Sequence, residues 1–150
     1  MNFRCACLAP AILLVMAGCA TTPQPTAVAP AAPQPQVVGG QRLTGAEFRQ
    51  TVMGNTLDRR MPNGARLLMH VGVDGQQRMR IVTPTGQSAT DQGSVTIEED
   101  RICSRWTRID AGRTTCFAYF RLGQSLVAID LSGAMQPTRF ELLPGNPERL

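Results

Sequence analysis

The chain has no lysine: all 15 of its basic residues are arginine. Histidine, tryptophan and tyrosine occur once each, as His70, Trp106 and Tyr119, and aromatics make up only 5% of the residues. Of the five cysteines, Cys5, Cys7 and Cys19 stand in or at the end of the N-terminal apolar segment; the isolated pair Cys103 and Cys116 with one histidine is too few for a zinc site, which needs three or four ligands. No serine stands in a Gly-x-Ser-x-Gly elbow. No catalytic or cofactor motif rises above background, so the expectation is a non-enzymatic protein with no cofactor. Long apolar runs are also missing. The N-terminal run from Cys5 to Met16 covers 12 residues and is broken by Pro10. A spanning helix needs about 20, so this run reads as a signal-peptide core.

An all-arginine basic set follows from codon bias in a GC-rich genome, or from a surface selected to grip carboxylates or phosphates. Removing residues 1–18 takes Arg4 away and leaves 14 basic against 11 acidic groups, a formal +3. That is too weak a charge to argue nucleic-acid binding.

Ile12-Leu13-Leu14-Val15-Met16-Ala17-Gly18-Cys19 ends an apolar run in two small residues and a cysteine. This resembles the lipobox of bacterial lipoproteins, with Met16 where that pattern usually has leucine. The resemblance implies cleavage before Cys19, a diacylglyceryl group on its sulfur, and a bilayer as partner through acyl chains. One chain anchors weakly; a mature lipoprotein carries three. Ala20 follows the cysteine where an aspartate would mark inner-membrane retention. The resemblance therefore points to the periplasmic face of the outer membrane, with the inner membrane as the alternative. Residues 19–42 form a Pro/Ala-rich stretch without charge until Arg42, read as a disordered tether. Extended at roughly 3.1 Å per residue, it would hold a domain on the order of 50 Å from the bilayer.

The domain is expected over 43–143, with 144–150 as a flexible end. Thr44 and Glu47 form a capping box that opens one short helix, with Phe48 and Val52 on one face and Gly54-Asn55 closing it. From Ala65 the period becomes two. Strands are expected at 66–73, 77–83, 94–99, 101–107, 115–121, 125–131 and 137–143, with Asp74-Gly75 as the clearest hairpin turn. Residues 84–93 read as a polar loop. The fold class is therefore mainly β: a short helix, then an antiparallel meander of about seven strands curled into a small barrel or half-barrel. On the second strand Met79 and Ile81 oppose Arg78 and Arg80. Further on, Cys103 and Cys116 become cross-strand neighbours and one expected disulfide. Closing the 12 intervening residues would contribute roughly 2–3 kcal/mol.

Gly54-Asn55-Thr56, Gly93-Ser94-Val95-Thr96-Ile97 and Cys103-Ser104-Arg105-Trp106 with the later Cys116 resemble a family of small proteobacterial envelope proteins of unknown function. Val95 stands where that family has tryptophan. The resemblance covers about residues 43–131 and implies a lipocalin-like meander. Two partners remain open on this reading: an envelope protein, or a small apolar ligand held in the barrel. A lipocalin-like inhibitor of a periplasmic protease is a further alternative. Trp106 and Tyr119 either stack in the core or line a pocket mouth. Arg105 and Arg108 stand with Arg101 and Arg113 in a basic rim, or form an anion or lipid-headgroup contact. Glu98-Glu99-Asp100 reads as a solvated hairpin tip. His70 and Asp74 lie about 13 Å apart along a strand, too far to pair.

Replacing Cys19 with serine is expected to move the protein from the membrane fraction to the soluble fraction of fractionated cells. Continued membrane association would contradict lipid anchoring.

Overall fold

A computed structural model describes residues 35–150; the expected signal peptide, Cys19 and most of the expected tether lie outside the described residues. The described chain folds as β1 (Gln41–Arg42), α1 (Gly45–Thr51), β2 (Asn55–Arg60), β3 (Arg66–Val71), β4 (Gln76–Val82), β5 (Ser88–Glu98), β6 (Arg101–Trp106), β7 (Thr114–Leu122), β8 (Ser125–Asp130) and β9 (Thr138–Leu143). Strands β2 to β9 pair in sequence order, every pair antiparallel. The sheet then closes on itself, with Thr56, Leu57 and Asp58 of β2 opposite Leu143, Leu142 and Glu141 of β9. The result is a closed eight-stranded barrel with β1 added beside the end of β7, through Gln41 opposite Arg121 and Arg42 opposite Phe120.

The alternation read from β3 onward sets the two faces. Met69, Val71, Met79, Ile102, Tyr119, Leu126, Ala128 and Phe140 are buried in one cluster with Leu57 of β2. Helix α1 seals one end of the barrel, because Leu43, Phe48 and Val52 join that cluster at 2% exposure or less. Each such side chain contributes roughly 1.5–3 kcal/mol on burial. The Phe48 and Tyr119 rings lie 4.9 Å apart, tilted by 60°. The capping box forms as expected: Thr44 Oγ1 accepts from the Glu47 N–H, and Glu47 accepts from the Thr44 N–H. Cys103 and Cys116 are direct register partners with their sulfurs at disulfide distance, 2.06 Å.

Four expectations need correction. Asn55–Arg60 is a strand, not the exit from the helix. It has one apolar inward residue, Leu57, so its alternation is almost silent. Strand β5 starts at Ser88, inside the stretch read as a polar loop. Its first residues lie near the barrel rim and stay largely exposed, so they carry few apolar side chains. The end of the tether is also structured: Val37 packs on the outer cluster of Ala118, Phe120 and Val127, ahead of β1. Finally, residues 144–150 form a strap across the outer wall. Gly145 exchanges hydrogen bonds with Thr56 and Asn55, Glu148 accepts from Arg66, and the Leu150 carbonyl accepts from Arg78. The strap crosses the wall where Leu68 faces outward yet is only 1% exposed.

The acidic tip is more than a solvated turn. Asp100 Oδ1 accepts from the Gly45 N–H at 3.0 Å, which ties the start of α1 to the β5–β6 hairpin. A Cβ on Gly45 would stand 2.1 Å from the Glu99 carbonyl oxygen and 2.7 Å from Ile97 Cγ2. Gly45→Ala is therefore expected to destabilise the fold by roughly 1–3 kcal/mol, the usual size of an overpacking effect. An unchanged urea midpoint would show that the helix is not seated this tightly.

Candidate functional site

The end of the barrel opposite α1 is open, and two long connections form its mouth. The first, between β6 and β7, carries Ile109 and Asp110. The second, between β8 and β9, carries Met135. Each is held by one buried aspartate. Asp91, inward on β5 beside Met79, accepts from the N–H groups of Gln92, Arg108 and Ile109 at 2.8–3.0 Å. Asp130, at the end of β8, accepts from the Ser132 hydroxyl and from the N–H groups of Ser132, Ala134 and Met135 at 2.6–3.1 Å. Burial alone would push both carboxyls up. For Asp91 the three backbone donors and the Arg108 guanidinium outweigh burial and hold it below the usual carboxylate range. For Asp130 the Ser132, Met135 and Ala134 donors do the same.

The first connection is held against its own backbone preference. Asp110, Ala111 and Gly112 have φ of 53°, 53° and 74° in succession. For residues with a Cβ this left-handed region costs roughly 1–2 kcal/mol each. Besides Asp91, Arg105 Nε binds the Gly112 carbonyl at 2.8 Å, and Arg113 binds the Asp110 carbonyl through both N and Nε. So Arg105 is a loop-holding residue. Such strain, over-determined by its surroundings, clusters at ligand sites.

Inside the mouth lies an apolar cavity of about 190 Å³. Its walls include Leu67, Met69, Met79, Trp106, Phe117, Tyr119 and Phe140, and Ile109 and Met135 reach in from the two loops. Ile109 and Met79 also border a second, shallower recess of about 560 Å³ with Ile81, Ala89 and Asp91. Ile109 thus divides the mouth into two lobes. Of the two aromatics expected in the core or at a pocket mouth, both line this cavity. Tyr119 is 4% exposed, and its hydroxyl bonds to no described group. Burial pushes its phenol well above the ordinary value. Deeper still, Gln77 and Ser104 form a short polar chain, with Ser104 Oγ 3.4 Å from Gln77 Oε1 and Gln77 Nε2 donating to the Ser94 carbonyl.

The expected basic rim does not assemble as one cluster. Arg101 pairs with Glu98 at 2.7 Å, Arg105 and Arg113 hold the loop, and only Arg108 turns toward the outer wall. His70 is partly buried, with Nδ1 3.4 Å from Thr56 Oγ1. Among the described residues no group of three histidine, cysteine or acidic side chains could hold a metal ion. Sequence reasoning missed Asp91 and Asp130. An Asp two to five residues before a Ser-Gly turn is a weak signal for Asp130; nothing local marks Asp91.

Both aspartates have depressed folded-state pKa values against about 3.9 when unfolded. Their contribution is therefore fully present above the unfolded value and is lost as pH falls through the folded values. The melting midpoint is expected to decline below about pH 4 from these groups, with no contribution from them to any change between pH 5 and 7. Asp91→Asn and Asp130→Asn are expected to lower the midpoint at pH 7 and to flatten the acid decline. An acid profile identical to that of the parent would show that neither carboxylate is held in this way. Comparison with known protein families, curated proteins and solved structures finds no match in any of the three, so function is argued from the site's own geometry.

Proposed function

We propose that this chain is a non-enzymatic, lipid-anchored envelope protein whose barrel binds one small apolar group in its mouth. The observation that carries the binding reading is the cavity: apolar walls, a Tyr119 hydroxyl with no partner among the described residues, and two loops fixed around it by buried carboxylates. The lipobox-like segment ending at Cys19 supports the anchor, and Ala20 supports the outer membrane's periplasmic face. The size of the cavity sets the size of the occupant. Pockets for drug-sized ligands run to about 300–1,000 Å³, whereas an apolar space of about 150 Å³ takes up benzene. The group bound is thus of single-ring size, with the wider recess beyond Ile109 admitting more only if that side chain yields.

Trp106 is the sole tryptophan and lines the cavity, so its fluorescence reports occupancy directly. Bromobenzene is expected to quench it saturably. Ala128→Phe, which fills the space from the wall, is expected to weaken that binding more than tenfold. Ile109→Ala is expected to join the two lobes and admit 1-bromonaphthalene, which the parent excludes. Quenching that rises linearly without saturation, equally in the parent and in both variants, would remove the binding reading.

A further inference from the structure

A second site lies on the outer wall, beside the rim of the mouth. Strand β4 turns Arg78 and Arg80 outward, two residues apart on one face. Opposite them on β5 stand Gln92 and Thr90. Arg108 reaches the same place from the β6–β7 connection. Its Nη2 donates to the Thr90 carbonyl, and its Nε lies 3.7 Å from Asp91 Oδ1. With Thr107 these residues line a recess of about 360 Å³.

The charge in this recess is unbalanced. Asp91 is the one acidic side chain in its lining. Asp91 faces the barrel interior, and its oxygens already accept three backbone N–H groups. Arg78 donates to the Leu150 carbonyl at 3.2 Å, so its guanidinium is held in place. Arg108 is held by Thr90. Arg80, directly opposite Thr90, forms no hydrogen bond or ion pair with any described residue. Elsewhere on the wall the pattern differs: Arg66 is forked onto Asp58 and reaches Glu148, which raises its pKa further. Like charges on one strand face repel; Asp91 stands beside Arg108 and Leu150 accepts from Arg78, which leaves Arg80 without a carboxylate partner among the described residues.

We propose that this groove binds a phosphate-type oxyanion. A guanidinium offers paired donors that match the spacing of two phosphate oxygens, and such charge-assisted bonds are stronger than neutral ones. Two of the three guanidiniums are already positioned, which lowers the ordering cost of binding. The Thr90 and Thr107 hydroxyls and the Gln92 amide add neutral donors at the same recess. The shared chemistry is a tetrahedral phosphorus with at least two free oxygens. It occurs both in free phosphate and in the phosphodiester headgroup of a phospholipid. The site does not depend on the mouth cavity, and its failure would leave the apolar-binding reading untouched.

The test is a heteronuclear NMR titration of the full chain in a phosphate-free buffer, with two probes run separately. One is inorganic phosphate; the other is glycerophosphoglycerol, the deacylated headgroup of an anionic phospholipid. Saturable shifts of the Thr90, Gln92 and Arg108 amides are expected. Arg80→Gln is expected to weaken binding about tenfold or more, since it removes a charge-assisted bond to the anion. Arg49→Gln, on the exposed face of α1, removes the same charge elsewhere and is expected to leave affinity within about twofold. Saturation with the diester assigns the groove to a headgroup; saturation with inorganic phosphate alone assigns it to a free oxyanion. Shifts that never saturate with either probe, or an equal loss in Arg49→Gln and Arg80→Gln, would overturn the proposal.

Discussion

The pairing of β2 with β9 is the constraint on which the rest of the molecule depends. Seven connections, five of them of hairpin length, give a sheet with two raw edges, and a sheet of that size cannot bury its inner face while it stays open. Three register pairs, from Thr56–Leu143 to Asp58–Glu141, remove those edges. Once they form, every strand from β2 to β9 has two neighbours, and the inward residues of eight strands face one another. Leu57, the only apolar inward residue of β2, becomes completely buried in that closed interior. The strap that follows β9 then crosses the outside of the same seam and binds β2, β3 and β4 in turn.

Closure also makes the two ends of the barrel unequal. Helix α1 follows directly from β1, so the end it covers is filled by Phe48 and Val52. The other end has no helix to fill it. It is finished by loops, and loops bring backbone N–H groups that must be satisfied. Asp91 and Asp130 meet that need, each gathering several donors around one carboxylate. Because the donors belong to Ile109 and Met135 themselves, the same bonds that satisfy the backbone also fix the side chains at the cavity mouth. The left-handed run at Asp110–Gly112 is tolerable only within that frame. A rigid mouth around a ring-sized apolar space is the consequence.

Much of this was legible in the residues. The two-residue period put Met79 and Ile81 on one face of their strand and Arg78 and Arg80 on the other, as the structure has them. Asp74-Gly75 marked its turn, the capping box marked the helix, and the facing of Cys103 and Cys116 followed from alternation on two adjacent strands. Strand β2 was not legible, because a strand with charged or polar residues at five of six positions has no period to read. The start of β5 was hidden for the same reason: near an open rim, alternation between core and solvent fades. Arg101, Arg105, Arg108 and Arg113 are close in sequence, yet their side chains go to three different tasks.

Local pattern, then, determined the kinds of element, their order and the faces they present, since those depend on neighbours two to four residues away. The tertiary structure alone decided that the sheet closes, that Asp100 caps a helix 55 residues earlier, and that Asp91 reaches forward to Ile109. It also decided that Arg108 joins Arg78 and Arg80. These contacts join residues far apart in the chain. Their energy depends on burial and on which donors happen to meet one acceptor, and no short window of sequence contains either.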